Sequence, residues 1–390
     1  MLSHLFKIIW NKKKENFLLI SEMFFSFLVI FGVFSLMVYY WFNYKKPMGF
    51  EYEDVWVVNY MSPEISSGTD SVRLYYDNLK NSLISFPEVK DLAYTQSNVP
   101  FSWNTFNNNV RYRDKDVMAN MFTATENYPA IFDLKMISGR WYNYSDRAAR
   151  QRQVVLNQQL KEILFGNEKA EGKELTVGDK RYNIIGVAEN MKINGSYQNY
   201  EPGIFYAPDT TELAWTSTIL LKVDPSADAG FEGKLFKTLA KQINTSIEIE
   251  HLSKKLKAKN NLMQVPLIIS IIVAGFLVFN VALGLFGVLW YNINKRRGEI
   301  GLRRAVGAPA GSIFGQLLGE TLVLSTISLL VGSFFAFQFP LLSIFDLDPV
   351  IYITAIVLSA LFIYLLVLIC AIYPGRQAAA IYPALALHEE

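Results

Sequence analysis

The chain has 390 residues, 51% of them apolar, 14% aromatic and 18% charged, and its net charge is +2. Ordinary soluble proteins carry roughly 25% charged residues, so this balance points to a membrane protein with a soluble part, and no long basic tract speaks for a nucleic-acid partner. The lone Cys370 excludes an intramolecular disulfide, and histidines only at 4, 251 and 388 leave no basis for a metal site.

Residues 1–16 read as a cytoplasmic leader. Leu2, Leu5, Phe6, Ile9 and Trp10 recur at helical spacing opposite Lys7, the pattern of a helix lying on a membrane surface; an unstructured basic leader is the alternative. A bilayer core needs about 20 mainly apolar residues per helix. Segments 17–42, 265–291, 313–339 and 350–373 meet that length. The first is too long for a signal peptide and has no small-residue cleavage site, so it is expected to stay as an anchor.

Basic residues beside spans stay on the cytoplasmic side. Lys7, Lys12, Lys13 and Lys14 precede the first span, and Lys295, Arg296, Arg297, Arg303 and Arg304 lie between the second and third. Both termini, including the tail 374–390, are therefore expected in the cytoplasm. Asp346 and Asp348 fall outside, and Lys45 and Lys46 dissent weakly.

The insert 47–259 then lies on the extracytoplasmic side. Glu53–Tyr60 reads as a strand, Asp70–Phe86 as a helix, Lys173–Val187 as two strands joined by a Gly-Asp turn, and Ala229–Gln242 as a helix. The expected fold is a membrane α-helical protein of four transmembrane helices, with an α+β extracytoplasmic domain of two lobes inserted between helices 1 and 2. Tyr197, Tyr200, Phe205, Tyr206 and Trp215 are expected in its core.

The loop 292–312 holds more than charge. Glu299 and Arg303 form an i, i+4 pair while Leu302, Ala305 and Val306 gather on another side, which predicts a short amphipathic helix over 297–306. Gly307 suits its stop and Pro309 the next start. Gly311, Gly315 and Gly319 repeat at small-x-x-x-small spacing and predict close packing against another span or a second copy. Glu22 and Glu320 sit near span ends, where carboxylates usually reach interfacial water. No phosphate-binding loop, G-x-S-x-G, H-E-x-x-H or Cys-x-x-Cys occurs, so no catalytic residue is expected and scattered acids in the insert read as surface.

Three segments together resemble the MacB/FtsX-type permeases of ABC transporters, the type VII or mechanotransmission family. KRRGEIGLRRAVGAPAGSIFGQLLGETLVL is similar to the family's cytoplasmic loop and third helix, through Arg297, Glu299, Ile300, Arg304, Ala305, Gly307, Ala308, Ile313 and Glu320. Val154 to Met191 resembles its extracytoplasmic domain through Asn157, Leu164, Phe165, Gly166, Gly172, Lys173, Gly186 and Val187. Tyr373 to Glu390 resembles its tail through Pro374, Arg376, Ala378, Pro383, Ala386 and Leu387. Arg303 departs from the smaller or aliphatic residue frequent there.

The resemblance implies a non-catalytic subunit of the bacterial inner membrane, binding no cofactor itself. A separate dimeric ABC ATPase would hold ATP and Mg, since no nucleotide-binding domain is found at either end. Its motion would be relayed through this chain and a second permease copy, identical or paralogous, to export a peptide, lipoprotein or drug-like substrate, with a periplasmic adaptor or substrate protein as a further partner. Residues 297–307 are the implied coupling helix, with Glu299, Arg303 and Arg304 making polar contacts and Ile300, Leu302 and Val306 filling an ATPase groove. The alternatives are a signalling permease, activating a cell-wall hydrolase or sensing antimicrobial peptides, and a membrane-tethered enzyme.

Overall fold

The computed structural model describes residues 13–61, 69–149, 151–243 and 245–379. The leader's apolar positions, from Leu2 to Trp10, and Pro383, Ala386 and Leu387 of the tail lie outside them. The chain divides into a helical unit, residues 1–42 and 264–390, and the insert, residues 43–263.

In chain order, helix α1 (Lys13–Lys45) precedes the insert. The insert then runs β1 (Val55–Tyr60), α2 (Thr69–Ile84), β2 (Val89–Thr95), β3 (Asn107–Tyr112), β4 (Lys115–Thr123), α3 (Tyr128–Phe132), β5 (Met136–Gly139), β6 (Arg152–Asn157) and α4 (Gln158–Phe165). It continues through β7 (Glu174–Val177), β8 (Lys180–Ala188), β9 (Gly203–Tyr206), α5 (Thr210–Ala214), β10 (Thr218–Val223), α6 (Ala229–Gln242) and β11 (Ile247–His251). The Gly-Asp turn predicted inside 173–187 joins β7 to β8, with Gly178 at φ +57°.

Two lobes share the insert. The first is an antiparallel sheet in the order β11-β1-β10-β2, built from the two ends of the insert. Its central strands are apolar on both faces because both are covered. Trp56, Val58 and Tyr60 pack with Leu79 and Leu83 of α2 and Leu235 and Leu239 of α6, while Val55 and Val57 enter a second core with Phe122, Tyr128 and Phe205.

The second lobe is a seven-stranded sheet in the order β5-β8-β6-β9-β4-β3-β7, and β7 also pairs with β8, so six strands close on themselves. Inside pack Val154, Leu156, Ile184 and Ile204, with Leu160 and Leu164 of α4. The side chain of Asn157 caps α4 by accepting from Leu160 N at 3.0 Å, and it also accepts from Gly203 N at 2.9 Å, tying β6 to the start of β9. Of the aromatics expected in the core, Phe205 is buried there but Trp215 is 71% exposed and Tyr197, Tyr200 and Tyr206 are only partly buried. Helical or strand periodicity does not constrain loop residues such as Tyr197 and Tyr200, which explains the difference.

Lys192 is a buried cation that the sequence did not single out. Its ammonium donates to the carbonyls of Asn43, Lys46 and Ser196, the latter two at 2.7 and 3.2 Å. Burial, and then the charge of Lys46, pull its pKa down to about 8.

The helical unit is completed by α7 (Leu252–Lys295), α8 (Arg297–Ala305), α9 (Ala310–Ala336), α10 (Gln338–Leu341) and α11 (Pro349–Ala379). Helices α1, α7, α9 and α11 are long and apolar enough to cross a membrane. Three of them outrun the apolar segments read from sequence, α7 starting thirteen residues before 265 and α11 continuing through Pro374 into the expected tail, whereas α9 begins earlier and ends at Ala336, short of 339. Met23, Phe27 and Phe31 of α1 pack with Val281 and Leu285 of α7, Leu329 of α9 and Tyr352, Ile356 and Ile363 of α11.

Candidate functional site

Helix α8 is short, so its ends decide whether it forms. Glu299 stands in its first turn and Arg303 and Arg304 in its last, the arrangement that complements the helix dipole. The stop is a Schellman motif. Gly307 N donates to Arg304 O at 3.1 Å and Ala308 N to Arg303 O at 2.9 Å, with Gly307 at φ +99°, a conformation that penalises any residue with a Cβ. Pro309 then caps α9 in extended backbone, one residue before the helical position expected for it.

A closed polar ring fastens α8 to α9. The Arg296 guanidinium donates to Glu299 at 3.1 Å and to both carboxylate oxygens of Glu320 at 3.1 and 3.2 Å. Arg303 bridges Glu299 and Gln316, the latter at 2.7 Å, and Gln316 donates to Glu320 at 3.1 Å. Burial alone would lower the Arg296 pKa, but hydrogen bonds to Glu299 and Glu320 and their charges outweigh it and hold it above the ordinary value. Arg296 and Glu320 are largely shielded, at 15% and 17% side-chain exposure, whereas Glu299 and Arg303 are at 43% and 45%. The inner pair therefore contributes more to the lock than the outer one.

Beneath the ring, Ile300 packs with Ile293 of α7, Ile313 and Leu317 of α9 and Ala378 of α11. Ile300 was expected to face a partner's groove, and the structure corrects this: at 6% exposure it belongs to the chain's own core. Leu302 and Val306 are 55% and 82% exposed and form the outward apolar face. Arg297 is partly buried. Arg304 donates to Ala308 O at 3.2 Å, while its buried Nε has no hydrogen-bond partner among the described residues.

Within this single chain Gly311 and Gly315 make no close approach, which leaves packing against a second copy as the remaining expectation for them. A Cβ at Gly311 or Gly315 would meet nothing within 4 Å, and Gly319 is partly buried. Close helix approach within the chain occurs at Gly284, where a Cβ would lie 2.6 Å from a Glu22 carboxylate oxygen, at Gly332 against Phe27 and at Gly375 against Phe314, both at 2.4 Å. Glu22 thus lies against the backbone of α7, eleven residues before Lys295. Arg296 and Gln316 were missed as site residues. The i, i+4 spacing of Gln316 and Glu320, one helix after a cluster of arginines, was the available signal. Among the described residues no cluster could hold a metal.

Two family models match separate parts of the chain. The family described as MacB-like periplasmic core domain matches residues 27–230, and that described as FtsX-like permease C-terminal matches residues 271–383. The macrolide export ATP-binding/permease protein MacB of Neisseria meningitidis serogroup A is 25% identical over 236 residues, 57% of this chain and 35% of that protein. The chain thus spans about a third of the length of that relative. The uncharacterized ABC transporter permease YknZ of Bacillus subtilis is 22% identical over 292 residues, 70% of this chain and 73% of that protein. The crystal structure of the periplasmic region of MacB from Actinobacillus actinomycetemcomitans superposes with a TM-score of 0.37 at 16% identity, covering 53% of this chain and 93% of that one.

Proposed function

We propose that this chain, which belongs to the MacB/FtsX-type permease family, takes up ATP-driven motion from an ABC ATPase through α8 and relays it to its extracytoplasmic insert. In this reading α8 and both termini are cytoplasmic, as the basic residues of the leader and the loop favour. ATP and Mg are held by the partner. Two permease copies flank an ATPase dimer, and the output is export of a peptide, lipoprotein or drug-like substrate.

One observation carries the reading: α8 is clamped to its own bundle on one side and presents Leu302 and Val306 on the other. A helix held by the ring and by Ile300 moves with α9 when it is pushed, whereas a loosely tethered loop would absorb the motion. Exposed apolar side chains beside arginines fit an interface whose buried centre is apolar and enriched in arginine. The membrane helices act as levers, and no catalytic chemistry falls to this chain.

The test is Leu302→Asp with Val306→Asp. Co-purification with the ATPase and stimulation of its hydrolysis should each fall roughly 10-fold or more, given at least 1 kcal/mol from buried interface anchors, with membrane insertion unchanged. Normal binding and stimulation by the double variant would refute docking through α8. Recovery of a cell-wall hydrolase or a sensor kinase with the intact complex would move the output from export to signalling.

A further inference from the structure

We propose that the first turns of α7, with the loop that carries Trp103, form a binding site for an anionic phospholipid of the extracytoplasmic leaflet. A cavity of about 420 Å³ lies there, lined by Trp103, Lys254, Lys255, Lys259 and Leu262 among others.

The charges in this cavity do not cancel. Glu250 takes Lys255 at 2.5 Å and Glu232 takes His251 at 3.1 Å. Lys254 is exposed and has no acidic partner among the described residues. The Lys259 ammonium is occupied differently: it donates to Ser102 O at 2.9 Å and stands 3.5 Å from the centroid of the Trp103 ring. That contact holds an indole that is 64% exposed. The loop is set by Phe101, a buried residue at φ +65° stacked on Phe50, a conformation that costs about 1 kcal/mol or more in a non-glycine residue.

Along the same face of α7, one turn changes the chemistry. Lys254, Ala258 and Leu262 follow at four-residue steps, and the row ends on Leu262, an exposed apolar side chain. A surface that is cationic at one end, aromatic beside it and apolar below matches a lipid phosphate, its glycerol region and an acyl chain in that order. Lysine and tryptophan are the side chains that anchor at this depth. Lys46, which stands against the positive-inside pattern, donates to Asn199 at 2.8 Å and faces the Tyr200 ring at 5.9 Å, a second lysine and aromatic pairing beside a span end.

Native mass spectrometry of the full chain, titrated with phosphatidylglycerol or phosphatidylcholine, tests the site. Phosphatidylglycerol should bind more tightly, and Lys254→Gln should weaken it roughly 5-fold, as expected for one lysine near a lipid phosphate. In nanodiscs, brominated phosphatidylglycerol should quench indole fluorescence in the wild type and less in Trp103→Phe, a variant that preserves packing. Equal affinity for the two lipids, an unchanged Lys254→Gln, quenching unaltered in Trp103→Phe, or displacement by glycerol phosphate at equal concentration would overturn the proposal.

Discussion

The insert and the helical unit satisfy their buried polar groups in opposite ways. In the insert, hydroxyls reach across the fold: Thr95 donates to Thr123 O at 2.6 Å, Tyr94 to Tyr76 O at 2.8 Å and Tyr142 to Ala124 O at 2.7 Å. In the helical unit they turn back on their own helix. Thr321, Ser325, Ser328 and Ser359 each donate to the carbonyl four residues before, at 2.7 to 3.0 Å. Water can stand in for a lost partner around the insert, but the bilayer interior offers none, so a spanning helix closes its hydrogen bonds locally. Polar contacts between helices include the ring around Arg296 and, within the spans, Thr326 of α9 with the Tyr364 hydroxyl of α11 at 2.9 Å.

Apolar burial differs in the same way. Strands β1 and β10 are covered on both faces, while almost none of the most apolar stretch of α7 and only about a third of that in the other spans is buried. Leu220→Ala, at full burial, should lower stability by about 2–5 kcal/mol. Leu361→Ala, 60% exposed on α11, should cost under about 1 kcal/mol when the chain is held in a lipid nanodisc. Thermal unfolding of the full chain with both variants measures the contrast, and equal losses would abolish it.

The ring should give an intermediate effect. Arg296→Ala leaves the shielded Glu320 carboxylate without its cation, held only by Gln316, a loss of about 1–3 kcal/mol. Combined with Glu320→Ala, the double-mutant cycle should return a coupling of about 1 kcal/mol. Additive losses would mean that the two side chains do not stabilise each other. Arg303→Ala, in the more exposed half, should lose less than about 1 kcal/mol.

The smallest change is a pH effect at Lys192. Its pKa of about 8 in the folded chain lies below the ordinary lysine value of 10.5. Between those values the unfolded chain holds the proton and the folded chain has released it, so the Lys192 contribution to stability rises with pH across the window. Lys192→Met should flatten the difference in melting temperature between pH 7.5 and 10 relative to wild type. An unchanged slope would remove Lys192 as its source.

Much of the architecture is legible along the chain because its signals are local. Span length is set by bilayer thickness, which is why four apolar segments were visible without any contact. Gly307 and Pro309 announce a stop and a start through their own backbone preferences, and the Gly178-Asp179 turn does the same between β7 and β8. Residues 229–242 showed the helical period that α6 follows.

Pairing between distant segments is another matter. Nothing near Val55–Tyr60 announces that it lies between strands 160 and 190 residues later, since an apolar run specifies burial but not a neighbour. Ile300 looked like an outward residue because an amphipathic helix on its own does not say which face meets its own protein. Glu320 and Arg296 meet only because Gly307 and Pro309 fold α9 back on α8, and Lys192 finds the carbonyls of Asn43 and Lys46 only through the folded insert. Local preference chose the elements; burial and charge, acting at contact range across the folded chain, chose their partners.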